Sequence, residues 1–264
     1  MNHFDELLDS FAHTFYGYGN YEGAYWFIGM EEGGGSSLQE IETRLSVWDS
    51  HGRQELEDVA LFHNEIGYGG FFEKQLNRPA TPKLQPTWNK LIRILLSAEG
   101  RLLSDKEDEA RTELVREYQR TSLGRTQGQS CLIELLPLPS RSTKDKDWLY
   151  AEQSALPYYA NREIYKKHFM HLRAKHIKEC IKQYKPKVVV FYGIGIEYVN
   201  WWKQIAGTPF SYDMTNGIHI AVHEDIIFVI TRHPATKGIT NAYFHNIGQM
   251  IASERAKLLD SGKL

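Results

Sequence analysis

The run KVVVFYG (Lys187 to Gly193) constrains this chain most. Continuous apolar and β-branched residues without polar alternation belong in a strand covered on both faces, as in the parallel sheets of α/β proteins. AYWFIGM (Ala24 to Met30) is a second strand of this kind, and SCLIELLPLPSR (from Ser130) is a third. IHIAVHE and DIIFVITRHP add a pair of strands, with a hairpin turn expected near Glu224–Asp225. Amphipathic patterns separate these strands. Phe4, Leu7, Leu8 and Phe11 fall at helical spacing near the start. Residues 36 to 66 alternate acids with Leu, Ile and Val as helices do. GYGGFFEKQLNRPATPKLQP reads as a loop. WNKLIRILLSAEG reads as a helix capped by Thr87 and stopped at Gly100. SDKEDEARTELVREYQR, with Ser104 as cap, reads as a solvated helix. A long amphipathic helix ends before Pro186, IEYVNWWKQIAG follows Gly195, and Thr240 caps a closing helix.

Strands alternating with helices predict an α/β domain, a three-layer sandwich with a central, mostly parallel sheet flanked by helices. With 264 residues, no internal repeat and no low-complexity linker, a single domain over residues 1–264 is expected.

Two cysteines, Cys131 and Cys180, cannot build a disulfide framework, a zinc knuckle or a four-cysteine iron–sulfur site. No cofactor, metal or membrane partner is expected. The first residues carry acids and no apolar signal region, and no run approaches membrane-spanning length, so a cytoplasmic protein is expected. A net charge of -2 argues against nucleic-acid binding by charge alone, though a local basic groove is compatible with it.

In open α/β sheets, ligands bind outside the carboxyl ends of the strands. Those ends carry Glu31-Glu32-Gly33, the segment from Glu134 to Pro139, Gly193-Ile194-Gly195 and His233-Pro234. GMEEGGG lacks the spacing of a dinucleotide or P-loop turn, and its adjacent carboxylates would repel phosphate. A solvated turn whose acids favour the following helix N-terminus is one reading. A carboxylate that activates water or faces a developing cation is the other. Glu134 inside an apolar strand is costly unless paired or at a site.

In order and spacing, these four strand ends resemble the uracil-DNA glycosylase superfamily. GMEEG (Gly29 to Gly33) lines up with the G-M-N-P-G form of its single-strand-selective branch. HPA (His233 to Ala235) lines up with H-P-S, and ELLPLP (Glu134 to Pro139) with the N-x-x-P-L segment that carries a base-reading asparagine. KPKVVVFYGIG is similar to the central strand. The likeness spans about residues 24 to 250. The departures are Glu31 for Asp or Asn, Glu32 for proline, Glu134 for the base-reading Asn, and Ala235 for Ser.

The resemblance implies a monofunctional DNA glycosylase that cuts a base–sugar bond through an oxocarbenium-like state. Glu31 would serve the water and the cation, and His233 would donate to the pyrimidine O2. Met30, Glu32 and Glu134 would border the base. Tyr68, Phe71 and Phe72 are the candidates to stack on it. The segment after His233-Pro234 would enter DNA, with Lys237 on phosphate, Ile239 as a wedge and Arg232 adding charge. Arg141, Lys144 and Lys146 would supply a basic rim. An ionised Glu134 only accepts hydrogen bonds, so it would repel uracil O4 and suit the N4 amino group of cytosine. A modified cytosine is therefore the expected substrate, and defence against phage with modified DNA the expected setting. A non-catalytic nucleic-acid-binding module on the same fold, and a hydrolase of free nucleosides or nucleotides, are the alternative readings.

Overall fold

The first helix, α1 (His3–Thr14), is capped by Asn2, whose side chain accepts from the Asp5 amide. Its apolar stripe of Leu7, Leu8, Phe11 and Ala12 is buried, as the helical spacing predicts. The computed structural model describes residues 2–72, 82–102, 109–142, 144–215 and 217–260. Next come β1 (Gly17–Gly19), β2 (Tyr25–Glu31), α2 (Leu38–Ser50), β3 (Leu56–Glu57), α3 (Val59–Glu65), α4 (Pro86–Ala98) and α5 (Glu109–Thr121). They are followed by β4 (Ser130–Leu136), α6 (Tyr150–Gln153), α7 (Arg162–Tyr184), β5 (Val188–Tyr192) and α8 (Ile196–Ala206). β6 (Ser211–Asp213), β7 (Ile218–His223), β8 (Ile226–Thr231) and α9 (Asn241–Asp260) complete the order.

The strands form one sheet in the order β3-β1-β4-β2-β5-β8-β7-β6. The central four, β4-β2-β5-β8, are mutually parallel. α4, α5 and α9 pack together as one helical group, and α1, α7 and α8 as another. Val188 to Phe191 of β5 are all 0% exposed, the burial that their continuous apolar run requires. The β7–β8 hairpin turns at Glu224 and Asp225, both with positive φ (47° and 65°), the backbone form that matches the twist of two-residue hairpins.

Several local expectations are corrected. Gln85, not Thr87, caps α4, because Pro86 occupies the first helical position and the Gln85 side chain accepts from the Trp88 amide at 2.7 Å. Thr240 does cap α9, accepting from the Tyr243 amide. Residues 36 to 66 divide into α2 and α3 around the short edge strand β3. β1 and β6 are too short to show a pattern and form only by pairing with β4 and β7. The Ser104 cap lies outside the described residues.

From β2 the chain reaches β4 on one side, and later β5 on the other. This reversal makes the carboxyl end of β2 the switch point of the parallel sheet, where the crevice for a ligand opens. Glu31 stands at that end.

Candidate functional site

A cavity of about 490 Å³ opens at this switch point. β2 brings Glu31 and Glu32 to it, β4 brings Glu134, β5 brings Tyr192, and the segment after β8 brings His233 and Ala235. Helical segments supply the opposite wall, with Arg44, His63, Tyr68, Phe71 and Trp88. Six expected residues thus converge: Glu31, Glu32, Glu134, His233, Tyr68 and Phe71.

The Glu31 side chain is 9% exposed, and its Oε2 pairs with the Arg162 guanidinium. Arg162 lies at the start of α7, is buried over the Trp148 ring, and donates to Ser140 Oγ at 3.0 Å. Glu31 Oε1 is buried and has no protein partner among the described residues. Burial pushes the Glu31 carboxyl up to about 7 against the pull of Arg162. A carboxyl poised there, with one oxygen free, can take a proton from water at neutral pH.

Glu32 has the opposite character. Burial alone would raise its carboxyl, but Arg44, His63 and Tyr18 outweigh burial and hold it at about 2. Arg44 Nη1 lies 3.1 Å away, His63 Nε2 3.4 Å away, and the Tyr18 hydroxyl donates at 2.9 Å. Arg44 also contacts Glu40, one helical turn back, at 3.4 Å. Glu32 is a fixed anion, both of whose oxygens already have partners, and does not have the wholly free oxygen that Glu31 has.

Glu134 Oε1 accepts from the Tyr192 hydroxyl at 2.7 Å, while Oε2 is buried without a partner among the described residues. Burial raises its carboxyl to about 8, and the nearby carboxylates of Glu32 and Glu31 add to the rise. Burial thus favours the neutral form of Glu134 over the ionised acceptor that the sequence reading expects. Gly29, paired with Glu134 in register, makes room for it: a Cβ there would stand 2.3 Å from both Glu134 Oε2 and the Tyr192 hydroxyl. Gly29→Ala is expected to lower unfolding stability by about 1–3 kcal/mol through this overpacking, read from the urea midpoint. Gly33→Ala, where a Cβ meets nothing within 4 Å, is expected to leave the midpoint in place. Equal effects of the two would refute the steric account.

His233 is partly buried, and burial lowers its pKa below the usual 6.5, so the ring is neutral at pH 7. The Ala235 amide donates to its Nδ1 at 3.1 Å. Nδ1 is thus the acceptor, and the proton of the neutral ring sits on Nε2, available to a ligand.

The remaining expected residues lie elsewhere. Met30 points to the other strand face, where its Sδ would be 2.9 Å from a Cβ at Gly193. Phe72 is buried core against Trp88, because a residue next to Phe71 in a tight turn must point away from the cavity. Ile239 packs against the core and does not project as a wedge. Arg232 and Lys237 are exposed beyond the cavity wall. Arg141, Lys144 and Lys146 are exposed and surround Asp147, whose carboxyl is lowered by a Ser142 hydrogen bond and by these three cations. The site also contains Tyr18, Arg44, His63, Trp88 and Tyr192, with Arg162 behind it, none of which sequence reasoning named. Tyr192 carried one readable signal: it is the polar end of the KVVVFY strand. The others come from segments whose convergence no local pattern encodes.

Among the described residues, no group of three or more His, Cys, Asp or Glu is arranged to hold a metal, and no helix is long and apolar enough to cross a membrane. No protein-family model matches this chain, and no curated protein matches it.

Proposed function

We propose that this chain is a divergent member of the uracil-DNA glycosylase superfamily that excises a modified cytosine from DNA and leaves an abasic site. The observation that carries this reading is the pairing, in one cavity, of a carboxyl with a free buried oxygen (Glu31) and a neutral imidazole with a free Nε2–H (His233). Glycosidic hydrolysis needs both. As the C1′–N1 bond breaks, its electron pair moves onto the base, and His233 stabilises the charge gathering at O2. Water adds to the cationic C1′, and its proton passes to Glu31. Among the described residues, no lysine lines the cavity to form a sugar imine, and the expected product is an intact strand with an abasic site.

Cavity size supports a substituted base. A bare pyrimidine displaces on the order of 100 Å³, three to four water volumes. The cavity is several times larger. Its helical wall pairs aromatic rings (Trp88, Tyr68, Phe71) with charged and amide groups (Glu32, Arg44, Gln85), a lining suited to a hydroxyl-bearing substituent. Phage genomes with modified cytosines offer such bases, and removing them would serve defence.

The test incubates the protein with plain uracil-containing DNA and with modified-cytosine phage DNA, and reveals abasic sites with alkali. Cleavage of the modified DNA is the expected result. Cleavage of uracil DNA alone would refute the choice of base. DNA binding without abasic sites on either panel would leave a binding module.

A further inference from the structure

We propose that Glu134 reads the base as a neutral carboxylic acid, with Tyr192 fixing Oε1 as the carbonyl oxygen so that Oε2–H is offered to the substrate. The inference rests on the glycosylase reading above and deepens it. Three features of the geometry carry it. The Tyr192 hydroxyl, 2.7 Å from Oε1, donates there and so marks Oε1 as acceptor. Oε2 is buried and has no partner among the described residues, which is a heavy desolvation penalty for a bare carboxylate oxygen. Gly29 yields the space that both groups occupy: a Cβ there would stand 2.3 Å from Glu134 Oε2 and from the Tyr192 hydroxyl.

The charged groups around this acid favour the neutral form. Glu31 and Glu32 of β2 disfavour a third negative charge. Arg173 of α7 is the nearby cation, but its guanidinium is committed to the backbone carbonyls of Glu134, Leu135 and Ala12. Tyr192 of β5 is the direct partner, and His233, edge-on to Tyr192 at 5.5 Å between ring centroids, is neutral.

A neutral acid offers what an amide offers: one donor and one acceptor side by side. It can donate Oε2–H to cytosine N3 while Oε1 accepts from N4, whereas uracil in the same pose would set N3–H against Oε2–H and O4 against Oε1. With its tautomer fixed, Glu134 therefore favours the cytosine pairing edge over that of uracil, and selection of the modification falls to the rest of the cavity. Tyr192 acts as a positioning residue.

The experiment has two arms on the full-length protein. Carboxyl-labelled glutamate is followed by ¹³C NMR across pH, with the Glu134 resonance assigned by its loss in Glu134→Gln. Single-turnover excision is measured over the same range. The expected result is a protonated Glu134 at pH 7 and an excision rate that declines as pH rises through about 8. The decline should vanish in Glu134→Gln, whose amide keeps both a donor and an acceptor. In Tyr192→Phe the decline should move to higher pH, because the lost hydroxyl had favoured the ionised form. A Glu134 resonance that titrates in the ordinary carboxylate range, with excision intact, overturns the inference and leaves the glycosylase standing. A protonated Glu134 without excision of any base overturns the glycosylase reading, and base recognition with it.

Discussion

Glu31→Gln is expected to slow single-turnover excision by about 10²- to 10⁴-fold, the usual contribution of a positioned general base. The amide has the shape of the carboxyl and can still accept from Arg162, so folding should survive, as circular dichroism can check. It cannot take the proton of the attacking water, nor face the sugar cation with negative charge. His233→Ala is expected to lower the rate by about 10²- to 10³-fold, the effect of removing one donor to a developing anion. The pH profile provides a second readout. Glu31 must be ionised, and burial places its carboxyl at about 7, so the rate should rise as pH passes 7. With the decline near 8 from Glu134, the wild-type profile is a narrow bell. Glu31→Gln should retain only the alkaline limb of that bell. An acid limb unchanged in Glu31→Gln would remove Glu31 from the role of base.

Arg44→Met is expected to destabilise the fold by about 3–5 kcal/mol, the effect of stranding a buried charge. Arg44 is 3% exposed and is the nearest cation to Glu32, which is itself held as an anion by Arg44, His63 and Tyr18. Methionine fills much of the volume of the Arg stem, so the loss should be electrostatic rather than steric. Urea unfolding at pH 7 reads the change, and the double variant Arg44→Met/Glu32→Gln should recover most of it. The sign against pH follows from the depressed Glu32 carboxyl. Its stabilisation is complete above the ordinary carboxylate value of 4.5 and is lost as pH falls through about 2. Acidification below 4.5 should therefore narrow the gap between wild type and Arg44→Met. A gap that stays constant from pH 7 to pH 3 would show that packing, not charge, accounts for the loss.

The alternation of buried strands with amphipathic helices was legible in the sequence because burial on both faces leaves no polar position in KVVVFY, and helical burial leaves one apolar stripe in α1. The hairpin at Glu224–Asp225 was legible because a two-residue turn between apolar runs has few solutions. The strand ends were legible too, and with them Glu31, Glu134 and His233, since open parallel sheets direct ligands to their carboxyl ends. What sequence could not supply was everything that depends on a partner far along the chain. β1 and β3 exist through pairing alone. Arg162 meets Glu31 across 131 positions, Tyr192 meets Glu134 across 58, and Tyr18 meets Glu32 across 14. Those contacts decide the chemistry of three similar carboxyls: Glu31 near neutrality, Glu32 a fixed anion, Glu134 a neutral acid. The residue types and their place at the strand ends are properties of the sequence. The charge each carboxyl bears is set by the desolvation, cations and hydroxyls that the tertiary structure brings to it, because a protonation state is a balance of surroundings and not of sequence neighbours.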